Sequence, residues 1–126
     1  MSAADLLQAI YDEALARVRR DLGVVAADAQ ITVDFTDPHD LTYQFEMGGT
    51  LHGHALLRTN DVEVATYQLA DQIQEDVFET LWSASWPGCP WHDHPATAKV
   101  VDGIASWTCA QLGRVVSPIG QHATAK

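Results

Sequence analysis

The hydrophobic period changes twice along the chain, and this constrains the fold more than any other feature. Leu7, Ile10, Tyr11, Ala14, Leu15 and Val18 recur at helical spacing. Between Ile31 and Leu57 the period drops to two, in the runs Ile31-Val33-Phe35, Leu41-Tyr43-Phe45-Met47 and Leu51-Gly53-Ala55-Leu57. Helical spacing then returns with Thr66, Leu69, Ile73, Val77 and Leu81. Three consecutive strands between two helices predict an antiparallel meander in an α+β fold, because parallel strands would need a long crossover between each pair.

Local chemistry sharpens these boundaries. Ser2, with Asp5 three residues on, predicts a capping box, and Gly23 a C-cap. Arg17, Arg19 and Arg20 then complement the dipole of the first helix in its last turns. The segment Thr36-Asp37-Pro38-His39-Asp40 reads as a turn, and Gly48-Gly49 as the next. A two-residue turn there would pair Met47 with Thr50 and place His52 and His54 among the apolar residues. A three-residue turn through Thr50 pairs Met47 with Leu51 and keeps each face uniform, so this register is expected. It groups Thr42, Gln44, Glu46, His52, His54 and Arg58 on the other face. Asn60, followed by Glu63, predicts the cap of a second helix running to about Trp82, with Asp71, Glu75, Asp76 and Glu79 on its solvated side.

Beyond Trp82 the character changes. A loop rich in Trp, Pro, Cys and His spans Ser83 to Pro95, and Ala98–Val101 and Ile104–Trp107 flank Asp102-Gly103, a strong hairpin signal. Val115 to Ile119 reads as an edge strand limited by Pro118, and Gln121 to Lys126 as a frayed tail. The length, 126 residues, suits a single domain: a helix and sheet body over 1–82 and a Trp/Cys/His-rich subregion over 83–120.

At 47% hydrophobic and 19% charged, the chain is too apolar for a disordered segment. Seven Lys and Arg stand against 17 Asp and Glu, a net charge of −10. Fifteen of those acids precede Trp82, so charge argues against nucleic acid as a partner for the body and is silent on the C-terminal subregion. No apolar run approaches the length of a membrane span, and the first residues lack the basic region of a secretory signal. A cytoplasmic protein is expected, in which two cysteines are thiols or metal ligands more readily than a structural disulfide.

Both cysteines, all four tryptophans and two of the six histidines fall between Trp82 and Cys109. Cys89 and His92 have the x-x spacing at which a tight turn aims two side chains at one ion, and Cys109 follows sixteen intervening residues after His92. With Asp102-Gly103 as a two-residue turn, Val101 faces Ile104, Ala98 faces Trp107, and Cys109 returns beside the start of the hairpin, next to His94. The expected zinc ligands are therefore Cys89, His92, His94 and Cys109. His122, His52, His54 or a water are the alternatives for the fourth position, and a Cys89–Cys109 disulfide or free thiols are the alternatives to metal.

These residues resemble a zinc ribbon, with C-P-W-H as the first knuckle, a hairpin, and W-T-C opening the second. The resemblance covers about a quarter of the chain and departs from the pattern at Leu112, where a second ligand is expected. The run W-P-x-C-P-x-H-x-H-P followed by W-x-C is also similar to a pattern in small actinobacterial proteins, which implies no activity.

His52 and His54 form a second H-x-H pair pointing to one face of a strand, as zinc-ligating pairs do in some lyases and hydrolases, with Glu46 across from His52 in the expected register. The tryptophans read first as the cover of a small metal module and second as an aromatic pocket for a ligand or partner. No P-loop, G-x-G-x-x-G, G-x-S-x-G or H-E-x-x-H is present. Three function classes follow: a non-enzymatic binding or adaptor protein with a structural zinc and a protein partner; a metal-dependent hydrolase or lyase with Asp93 or a histidine as base; and a thiol redox protein using Cys89 and Cys109. A homodimer through an uncovered sheet face or edge is compatible with each.

Overall fold

The computed structural model describes residues 2–23, 28–37, 39–81 and 86–122, and places in them two helices and two three-stranded antiparallel sheets. The order is α1 (Ala3–Leu22), β1 (Gln30–Asp34), β2 (Thr42–Met47), β3 (Thr50–Ala55), α2 (Val62–Leu81), β4 (Thr97–Val101), β5 (Ile104–Cys109) and β6 (Arg114–Pro118). Trp82, the first residues of the aromatic loop and the end of the C-terminal tail lie outside the described residues.

Helix α1 begins as its sequence predicts. Ser2 Oγ accepts the Asp5 amide at 3.1 Å, and the Asp5 carboxylate accepts the Ser2 amide at 3.3 Å. At the other end Gly23, at φ 38°, donates its amide to the Arg19 carbonyl at 3.0 Å. Leu7, Tyr11, Ala14, Val18 and Leu22 form the buried stripe.

Helix α2 is capped by Asp61 rather than Asn60: Asp61 Oδ1 accepts the amides of Glu63 at 2.8 Å and Val64 at 3.4 Å. The Glu63 carboxylate does not reach back to close a box. It accepts Arg17 Nη1 at 2.8 Å and the Ala105 amide at 2.9 Å, joining α1, α2 and β5. Helix α2 packs along α1 and touches both sheets, with Thr66, Leu69, Ile73 and Val77 buried.

The first sheet, in order β1-β2-β3, overturns the expected hairpin register. Gly48 and Gly49, at φ 60° and 82°, make a two-residue turn; Met47 pairs with Thr50, Glu46 with Leu51, Phe45 with His52 and Tyr43 with His54. His52 and His54 therefore share the core-side face with Tyr43 and Phe45, away from Glu46, while Leu51 is left 60% exposed. A buried acid compensates the polar pair. Asp76 of α2 is not on a solvated face as expected but only 1% exposed, with its carboxylate between the histidines.

The second sheet, β4-β5-β6, extends the predicted hairpin by one strand. Asp102 (φ 51°) and Gly103 (φ 79°) form the tight turn, Val101 pairs with Ile104 and Ala98 with Trp107, as the spacing requires. Strand β6 ends at Pro118, one residue before the expected limit. The Asp21 carboxylate of α1 anchors this sheet and the segment that follows it. Asp21 Oδ2 accepts Trp107 Nε1 and the Gly120 amide, both at 2.7 Å, and Oδ1 accepts the His122 amide at 2.9 Å. The Asp21 carbonyl accepts Trp86 Nε1 at 2.8 Å. Among the described residues no helix is long and apolar enough to cross a membrane.

Candidate metal centre

The loop between α2 and β4 is folded back by its own backbone. Cys89 donates its amide to the His94 carbonyl at 3.0 Å and Ala96 donates to the Pro87 carbonyl at 2.7 Å, so a narrow ladder closes around Pro90 to Asp93. Cys89, His92 and His94 all issue from this closed turn. Cys109, the last residue of β5, meets them because the β4–β5 register returns it to the foot of the loop.

One ligand atom from each of Cys89, His92, His94 and Cys109 lies within 4.8 Å of all the others. Cys109 Sγ is 3.3 Å from His92 Nδ1 and 3.9 Å from His94 Nε2, and Cys89 Sγ is 3.7 Å from His92 Nδ1. Zinc bonds of about 2.3 Å to sulfur and about 2.0–2.1 Å to nitrogen, at tetrahedral angles, put neighbouring S and N atoms about 3.6 Å apart. The observed separations bracket that value. Both cysteines are free and buried, so these four side chains could hold a metal ion.

Groups around the cluster orient its side chains. His94 donates Nδ1–H to the Pro95 carbonyl at 2.9 Å, which leaves the Nε2 lone pair facing the thiols. Its imidazole pKa is raised, first by that bond and then, against desolvation, by Cys109. Burial alone would raise the Cys109 thiol; the amides of Leu112 and Gln111, with Cys89 and His94, outweigh it and move the thiol below its ordinary value. The Leu112 amide lies 3.4 Å from Cys109 Sγ. The turn after β5 thus directs amides at the Cys109 sulfur, and His94 of the first loop supplies the fourth side chain of the cluster, where Leu112 offers none.

The alternatives for that fourth position are placed elsewhere. His122 Nε2 is 3.0 Å from the Gly88 carbonyl, and His52 and His54 group with Asp76. Trp107 and Trp86 are buried against each other edge to face, centroids 5.4 Å apart, with both N–H groups bonded to Asp21, so they dock the module on the body. Trp91, 40% exposed, lies 4.7 Å from the Arg114 guanidinium and clasps the loop to the start of β6. Sequence reasoning missed Asp21 and Asp76. Each is an acid on an amphipathic helix whose partners lie far away in sequence.

Comparison of the chain with protein-family models, with curated proteins and with solved structures gave no match.

Proposed function

We propose that this is a small acidic zinc-binding protein in which Cys89, His92, His94 and Cys109 hold a structural ion, and that it acts as a non-enzymatic binding or adaptor domain. The observation that carries the reading is the convergence of four donors from two chain segments at tetrahedral ligand spacing. Two thiolates with two neutral imidazoles suit zinc and balance its charge. Four protein donors complete a tetrahedral shell, which favours a structural role over a hydrolytic one needing an open position for water.

The binding half of the reading is supported by a cleft of ≈ 370 Å³ between α2 and the metal loop, lined by Gln74, Glu75, Phe78, Glu79, Trp86 and Pro95. Phe78, Trp86 and Pro95 beside Glu75 and Glu79 suit a partner segment carrying apolar and basic side chains.

Cobalt substitution of the reduced, full-length chain tests the metal site. One equivalent should give a sulfur-to-cobalt charge-transfer band with tetrahedral ligand-field intensity, and Zn2+ should displace it. Cys109→Ser should weaken the band, and Cys89→Ser with Cys109→Ser should lose it. A folded, reduced protein that takes up cobalt without any sulfur band would overturn the assignment.

A further inference from the structure

His52 and His54 stand two residues apart on the edge strand β3, on the face turned to α2. Asp76 of α2 presents Oδ1 2.9 Å from His54 Nε2 and 3.7 Å from His52 Nδ1, and the three ligand atoms lie within 4.8 Å of one another. Glu79, three residues along the helix, places Oε2 3.6 Å from the same His52 Nδ1.

Hydrogen-bond directions around the cluster decide what belongs between these atoms. Thr80 Oγ1 donates its one proton to the Asp76 carbonyl at 2.8 Å, so toward His52 Nε2, 3.4 Å away, it is an acceptor. This places a proton on His52 Nε2, so in the neutral ring the Nδ1 lone pair faces two carboxylate oxygens. At 3.6 and 3.7 Å these contacts are too long for hydrogen bonds and, with a neutral His52, set acceptor against acceptor, while without an ion His54 donates Nε2–H to Asp76 Oδ1 at 2.9 Å. They match ligands that share an ion: donors at about 2.1 Å from a metal are about 3.0 Å apart at right angles and about 3.6 Å apart at trigonal angles. The outer carboxylate oxygen is also fixed, since Tyr43 donates its hydroxyl to Asp76 Oδ2 at 2.5 Å and leaves Oδ1 toward the histidines.

We propose that His52, His54 and Asp76 form a second metal site, for a divalent first-row transition ion held by two imidazoles and one carboxylate oxygen, with Glu79 at its rim. Two imidazoles select such an ion over Mg2+ or Ca2+. The His54 side chain is 33% exposed, so the site opens to solvent and keeps coordination positions for water. It contains no sulfur, which separates it in chemistry from the cysteine cluster and makes it independent of the function proposed above.

The test uses the full-length chain loaded with one equivalent of Zn2+ and then titrated with Co2+, followed by histidine imidazole NMR and native mass spectrometry. A second ion per chain should bind without a sulfur band and broaden the His52 and His54 resonances. Thr80→Val and Tyr43→Phe, which keep all three ligands, should weaken this second binding about 10–100-fold and leave the first unchanged. His54→Gln should abolish it. The proposal is overturned if no second ion binds, or if it binds equally well to His54→Gln. It is also overturned if the wild-type His52 and His54 resonances respond to pH but not to metal, which would identify a proton as the charge between the acceptors. Failure of the cysteine site would appear separately, as a missing sulfur band on cobalt added to metal-free protein.

Discussion

Replacing Asp21 with alanine removes the carboxylate on which the C-terminal sheet is anchored to α1, and the cost can be worked donor by donor. Trp107 is fully buried, so its Nε1–H would be left without an acceptor, at about 1–3 kcal/mol. The Gly120 and His122 amides are partly buried, and water can reach them at a smaller cost of about 0.5 kcal/mol each. The expected loss is therefore about 2–4 kcal/mol, a large part of the ~5–15 kcal/mol that holds a typical domain together. Asp21→Asn should fall between. One oxygen can stay with Trp107 and Gly120, while the amide NH2 is set against the His122 N–H, for a loss of about 1–2 kcal/mol. Urea unfolding followed by tryptophan fluorescence, at fixed excess zinc, reads both as a shift in midpoint at unchanged slope. An alanine variant within about 0.5 kcal/mol of the parent, or an asparagine variant weaker than the alanine one, would refute the anchoring role.

Burial and then the bond to Asp76 push the Tyr43 phenol far above its ordinary 10.0, and burial raises Tyr11 as well. Groups raised in the folded state contribute fully below the unfolded value, so stability should fall as pH climbs past about 10, where only the unfolded chain releases these protons. Tyr43→Phe should make that decline shallower by one proton in an alkaline unfolding series. At the β2–β3 turn, Gly48→Asn should preserve or raise stability by up to about 1 kcal/mol, since asparagine suits the first position of such a turn. Gly49→Val should cost more than about 1 kcal/mol because φ there is 82°. Chelating the ion should lower the melting temperature and expose Cys89 and Cys109 to thiol reagents; where zinc stood at a thousand times Kd, the stability lost is about 4 kcal/mol.

The elements were legible where a local pattern sufficed: Ser2 with Asp5, the helical stripes, and Asp102-Gly103 with the register it imposes. That register returns Cys109 to the loop of Cys89, His92 and His94, so the pattern that sets the hairpin also groups those four residues. At β2–β3 uniform apolar faces favour a three-residue turn, but the chain takes the shortest turn that Gly48-Gly49 allows. Histidines on the inner face of β3 are tolerated only because Asp76 meets them from α2, 22 residues beyond His54, and nothing near either position announces the other. Asp21 was hidden in the same way, its partners Trp107, Gly120 and His122 lying about a hundred residues away. Buried acids on amphipathic helices look like surface until their donors are placed.

Zinc-edge X-ray absorption on the reduced chain carrying one equivalent of zinc tests the central claim most directly. Cys89, Cys109, His92 and His94 together predict two sulfur neighbours at about 2.3 Å and two nitrogen neighbours at about 2.0–2.1 Å. A shell of nitrogen and oxygen alone, or a reduced and folded protein that retains no zinc, would contradict it.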